Sequence, residues 1–294
     1  MITSLSWQHE FGAQCRLGES PVWLAEQNAL YWADIKQGRV HRLDWATRAH
    51  HIFQLDIAIT ALVRRSAGGF VAASTTGLYT YDARFEHKQF LVDPCAQLAN
   101  VRLNDAVVDR DGRLWTGSLN PTNLPAPDGC LYRVDADHSV HLVDSGFSVA
   151  NGIAFSPQGD TLYVSNMLQG EVFAYELERR SGEVRNKRVF TRVPAALGFP
   201  DGLTVDSSGH VWVGHWKGKC LTRHHPVTGE SVEQVDLPVT NVTRGTFGGP
   251  ALNRLIVTTA WHAVEADLPN QPLAGDVFSV ALQVAGLADE QYGG

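Results

Sequence analysis

Apolar and polar positions alternate along this chain in short runs. A β-branched or aromatic segment leads into a turn of Asp, Ser, Asn or Gly, and a second segment with a central aromatic returns. Residues 149–165 show the unit most fully. Asn151-Gly152 opens Ile153-Ala154-Phe155, the turn Ser156-Pro157-Gln158-Gly159-Asp160 follows, and Thr161-Leu162-Tyr163-Val164-Ser165 comes back. Residues 103–117 and 200–214 repeat this β-hairpin grammar. Six second-strand cores align, starting at Leu30, Phe70, Leu114, Leu162, Val211 and Leu255, with steps of 40, 44, 48, 49 and 44 residues. That period is the size of a four-stranded propeller blade.

Third and fourth strand-like runs follow in most units, as in residues 170–175 and 187–190. The last unit has a third run at 275–280 and then almost no chain, so its outer strand is expected from residues 6–14. Such pairing of the two chain ends closes the ring and removes an exposed sheet edge. The charged stretch 176–181 reads as a loop, and the proline-containing breaks at 119–128 and 262–274 read as rim insertions. The pattern therefore predicts an all-β, six-bladed β-propeller, residues 1–294 forming a single domain. A sandwich or an eight-stranded barrel does not explain the repeat.

Composition narrows the class of function. A formal charge of -7 over 294 residues argues against a nucleic-acid or anionic-membrane surface. The opening residues 1–11 lack the basic start and apolar run of a secretion signal, and no apolar stretch approaches the ~20 residues that span a bilayer. Cys15, Cys95, Cys130 and Cys220 are far apart and are expected to be free thiols. A soluble cytoplasmic protein acting on a small molecule is the expectation.

In a propeller the first strand of each blade lines the central channel, so residues at the start of those strands meet at one mouth. Counting back ten or eleven residues from each second-strand start gives Glu19, Thr60, Asn104, Asn151, Asp201 and Gly245. Glu19, Asn104, Asn151 and Asp201 offer side-chain oxygens suited to one hard divalent cation (Ca²⁺, Mg²⁺ or Mn²⁺; Zn²⁺ or Fe²⁺ less naturally, with no His or Cys in register). Asn-Gly and Asp-Gly are also ordinary turn dipeptides. What favours a metal site is that four ligand types share equivalent points of a closed ring.

Leu17-Gly18-Glu19-Ser20-Pro21-Val22-Trp23, Arg102-Leu103-Asn104-Asp105, Ala150-Asn151-Gly152 and Pro200-Asp201-Gly202 resemble the motifs of the SMP-30/gluconolactonase/regucalcin family. The resemblance runs over residues 17–280. It implies a six-bladed propeller, a divalent cation at the channel mouth, and hydrolysis of sugar lactones to aldonic acids. It makes Glu19, Asn151 and Asp201 metal ligands, and Arg102 and Asn104 the pair that contacts the substrate. Where many members carry acidic residues after Gly-Thr-Met, this chain has Gly117-Ser118-Leu119-Asn120-Pro121-Thr122, and Asn120 is expected to take part of that role. Asp201 is the expected general base, since a carboxylate touching both cation and water can take the water's proton. Two other readings fit the same ring: a non-catalytic calcium-binding scaffold, and a hydrolase of other lactones or phosphotriesters. His50-His51 and His224-His225 are expected on solvated surface, His215 and His262 outside catalysis, and Trp32, Trp115 and Trp212 between blades.

Overall fold

The computed structural model describes residues 5–294. It consists of six sheets arranged as a β-propeller, five of four antiparallel strands and one of five strands. The first blade runs Gly18–Leu24, Ala29–Asp34, Arg39–Asp44 and His50–Gln54 from the channel outward. The next four begin at Ile59–Arg65, Arg102–Val108, Ala150–Phe155 and Phe199–Val205. The sixth takes Asn241–Gly248, Arg254–Ala260 and Val277–Ala281 from the end of the chain and Trp7–Phe11 from its beginning. Ring closure by the two ends is thus as the repeat count predicts.

Each blade is sandwiched between two others, so a second strand is covered on both faces and reads as a continuous apolar run. Ala29–Asp34 and Leu114–Leu119 are buried at every position, whereas the outer strands His50–Gln54 and Lys88–Val92 hold no fully buried residue. The core is correspondingly divided into six clusters, one at each contact between neighbouring blades. Trp32, Trp115 and Trp212 are buried in three of them. The turn chemistry is tied to this packing. Asp109 accepts the Trp115 indole N–H at 2.8 Å and its own turn's amides of Asp111 and Arg113; Asp206 does the same for Trp212 at 3.2 Å, with Ser208 and His210.

Two details differ from the sequence expectation. Residues 176–178 are not loop: they end the strand Glu171–Glu178, which pairs with Glu183–Arg192 in a hairpin exposed enough to carry its charges. And residues 282–294, to which the repeat pattern assigns no element, cross the channel at the end where first and second strands turn. The Ser207 amide donates to Ala285 O (2.9 Å), the Gly286 amide to Leu252 O (2.7 Å), and the Gly293 amide to Gly112 O (2.9 Å). Gln291–Tyr292 adds a parallel fifth strand beside Arg64–Arg65, and Tyr292 is fully buried in the cluster between the second and third blades.

Candidate functional site

At the other end of the channel, every first strand carries a register irregularity at the same level. These lie between Glu19 and Val22, Ile59 and Ala61, Leu103 and Ala106, Asn151 and Ile153, Pro200 and Leu203, and Val242 and Gly245. A bulge breaks the in–out alternation and re-aims side chains. Glu19 pairs with Ala33 and Asn151 with Ser165 at the edge of their irregularities, while Thr60, Asn104, Asp201 and Thr243 lie within theirs, with Gly117, Gly214 and Thr258 facing the last three. The sixth position is therefore Thr243, not Gly245, because the first hairpin of the last blade is longer. The opposing residues are small for a reason. A Cβ on Gly117 would lie 2.3 Å from Ala150 O, and one on Gly214 2.3 Å from Thr243 O.

Of the ring, Asp201 and Asn151 are buried and touch: the Asn151 amide nitrogen donates to the Asp201 carboxylate. The Asn151 oxygen accepts from the Gly152 amide at 3.0 Å, and the Asn104 amide reaches Ala150 O at 3.4 Å. Glu19 accepts from the Ser20 amide at 3.2 Å. Thr243 is spent on the wall, bonding Gly18 O and Thr258, while the buried Thr60 hydroxyl has no partner among the described residues. Burial pushes both acids well above the usual carboxylate range. Glu19 and Asp105 raise Asp201 further, and Asp105 raises Glu19. Two enclosed carboxylates flanked by two amides suit a hard dication, and the Met167 thioether accepts a 3.6 Å contact from the Asn151 amide nitrogen beside them.

Arg102 lies beside this ring, paired across the hairpin with Leu119, and its Nη1 donates to Leu103 O at 2.8 Å. Desolvation lowers its pKa, and among the described residues no carboxylate lies within ion-pair distance. Asn120 is less available than expected. Its oxygen accepts from Thr122 N, Thr122 Oγ1 and Asn123 N, and its nitrogen donates to Asp128 at 2.8 Å. The insertion thus carries a carboxylate of its own, Asp128, bonded to Asn120. Sequence reasoning missed that residue, and also Asp105 and Arg244, which stand one residue after Asn104 and Thr243; following the ring register one step further inward would have found both.

Other expectations are corrected. His224 is buried in the fifth blade, not solvated, and His50 is half-buried, stacked on Trp32 and His41. A cleft of about 500 Å³ opens on the flank of the fourth and fifth blades beside His215 and His224. Both histidines are hydrogen-bonded at both ring nitrogens there, so the chemistry is better placed at the ring. The four cysteines are buried and free. Cys15 comes within 4.8 Å of Asp34 and His41, which its isolation in the sequence did not suggest. Burial pushes its thiol far up.

The profile described as SMP-30/Gluconolactonase/LRE-like region matches residues 17–261. The chain belongs to this family. It is 32% identical over 280 residues to the pentonolactonase XacC of Haloferax volcanii, covering 92% of this chain and 93% of that one. It is 34% identical over 282 residues to a 6-deoxy-6-sulfogluconolactonase of Pseudomonas putida, covering 95% of each. A solved regucalcin of Agrobacterium tumefaciens, titled a calcium-binding protein, shares the fold with a TM-score of 0.92 at 24% identity, covering 99% of both chains. Family members therefore include enzymes named as sugar lactonases. Among the described residues no helix is long and apolar enough to cross a membrane.

Proposed function

We propose that this family member hydrolyses a sugar lactone to its aldonic acid, using a divalent cation held by Glu19, Asn151 and Asp201 with Asn104 at its edge. The observation that supports this most is the contact of the Asn151 amide with the buried Asp201 carboxylate, with the Glu19 charge close enough to act on Asp201 and the Asn104 amide reaching Ala150 O beside them. When bound, the cation supplies Lewis acidity toward the lactone carbonyl and lowers the pKa of a bound water. The chain's own groups do the rest. Asp201 takes a proton from the attacking water, whose oxygen bonds to the carbonyl carbon as the ring C–O bond breaks. The departing ring oxygen takes up a proton and becomes a hydroxyl. Arg102 offers a planar fork of donors that a Lys would not reproduce, and Asn104 both donates and accepts toward a hydroxylated ring. Asn120 and Asp128 hold the loop beside them.

The test is proton release from a panel of aldonolactones, by the native protein and by Asp201→Asn, before and after chelation. Turnover abolished by chelator, restored by one cation, and reduced at least ~100-fold in Asp201→Asn supports the reading. Undiminished turnover after complete metal removal refutes it, and cation binding without turnover on any lactone leaves a binding protein instead.

A further inference from the structure

Just inside the ligand ring, Arg244 of the sixth blade forms an ion pair with Asp105 of the third, the blade facing it across the channel. Both are enclosed, with side chains 11% and 6% exposed. Asp105 is fixed from other sides too: the Ile153 amide donates to it at 3.2 Å and the Ala106 amide at 2.8 Å. Arg244 takes this path because Gly202, next to Asp201, has no side chain. A Cβ there would lie 2.5 Å from Arg244 Cβ. Below, Arg244 lines a cavity of about 90 Å³ with Leu287 and Asp289 of the C-terminal segment, and the Trp23 amide donates to Asp289 at 3.4 Å.

At and just inside the ring the channel thus holds three carboxylates, on Glu19, Asp105 and Asp201, and the Arg244 guanidinium, with Arg102 beside them. We propose that Arg244 is a positioning residue for the cation site: by pairing with Asp105 it keeps that carboxylate out of the ring and leaves the ring with two uncompensated negative charges, matched to a dication. This rests on the cation-site reading above. Without Arg244, Asp105 turns toward the ring as an additional anionic ligand, so the site grips a cation more tightly and loses an open position for water and lactone. A residue that merely filled space would have no reason to change cation affinity upward.

The test is calorimetric titration of metal-stripped full-length protein with Ca²⁺ and Mn²⁺, each alone, alongside lactone turnover. A unit charge this close to a dication is worth about a factor of ten or more. Arg244→Met is expected to bind about tenfold tighter with lower kcat, Asp105→Asn about tenfold weaker, and the double variant within ~3-fold of the native protein. Arg244→Lys, which keeps the charge, stays near native. Unchanged or weaker binding by Arg244→Met overturns the proposal. Should that variant fail to fold, an Asp105→Asn protein that binds as tightly as native overturns it equally. A native protein that binds no cation defeats the underlying site reading as well, a result distinct from cation binding that ignores Arg244.

Discussion

Gly152 stands between Asn151 and Asp201, and replacing it with Ala probes how closely adjacent blades must approach there. Its φ is +40°, and a Cβ would fall 2.2 Å from Asp201 O, 2.6 Å from Ser165 Oγ and 2.7 Å from Leu203 Cγ. Ordinary contact begins near 3.4 Å, so the Asp201 backbone must retreat by roughly 1.2 Å. Left-handed backbone on a residue with a Cβ costs about 1–2 kcal/mol, and overpacking a filled site about 1–3 kcal/mol more. The expected loss of stability is therefore about 2–5 kcal/mol. A displacement near 1 Å of a catalytic group costs about 100-fold in rate. Gly146→Ala is the matched control: φ is +87°, but nothing lies within 4 Å of its Cβ, so only the backbone cost of about 1–2 kcal/mol applies. Urea unfolding and kcat/KM on the best lactone should separate the two variants. Equal stability and equal activity for Gly152→Ala and Gly146→Ala would refute the claim that blade contact at Gly152 sets the position of Asp201.

Other consequences can be measured directly. Burial holds the His41 pKa down to about 3, with His50 adding to the effect, and that of His215 down to about 4, both from an ordinary 6.5. Between those values and 6.5 the unfolded chain binds protons that the folded chain does not. Stability is thus full above pH 6.5 and declines as pH falls toward 4, by about 3 kcal/mol for His215 at ~1.4 kcal/mol per unit. His215→Gln should flatten that acid slope in urea titrations; an unaltered slope would contradict the assignment. Tyr292→Ala removes a fully buried ring and its hydrogen bond to Asp135 O at 2.7 Å, and should cost about 3–5 kcal/mol. A loss below about 1 kcal/mol would mean that the C-terminal segment does not brace the second and third blades.

The repeating unit was legible in the chain because a propeller blade is local. Each hairpin is specified by its own alternation and its own Asp- or Gly-bearing turn, and a constant step between second strands reveals how many there are. The same register named Glu19, Asn104, Asn151 and Asp201, since equivalent positions of equivalent blades must meet around the axis. Counting failed at Gly245, where a longer hairpin shifted the ring position to Thr243. It could say nothing of Asp105 and Arg244, whose pairing joins opposite blades across the channel and depends on the missing side chain of Gly202. His224 and residues 282–294 escaped for a related reason: neither follows the repeat, and only the closed ring shows which surfaces they cover. Spacing along the chain determined which side chains share a level; tertiary structure alone decided which of them touch, because contact across a ring depends on blade separation and burial rather than on sequence distance.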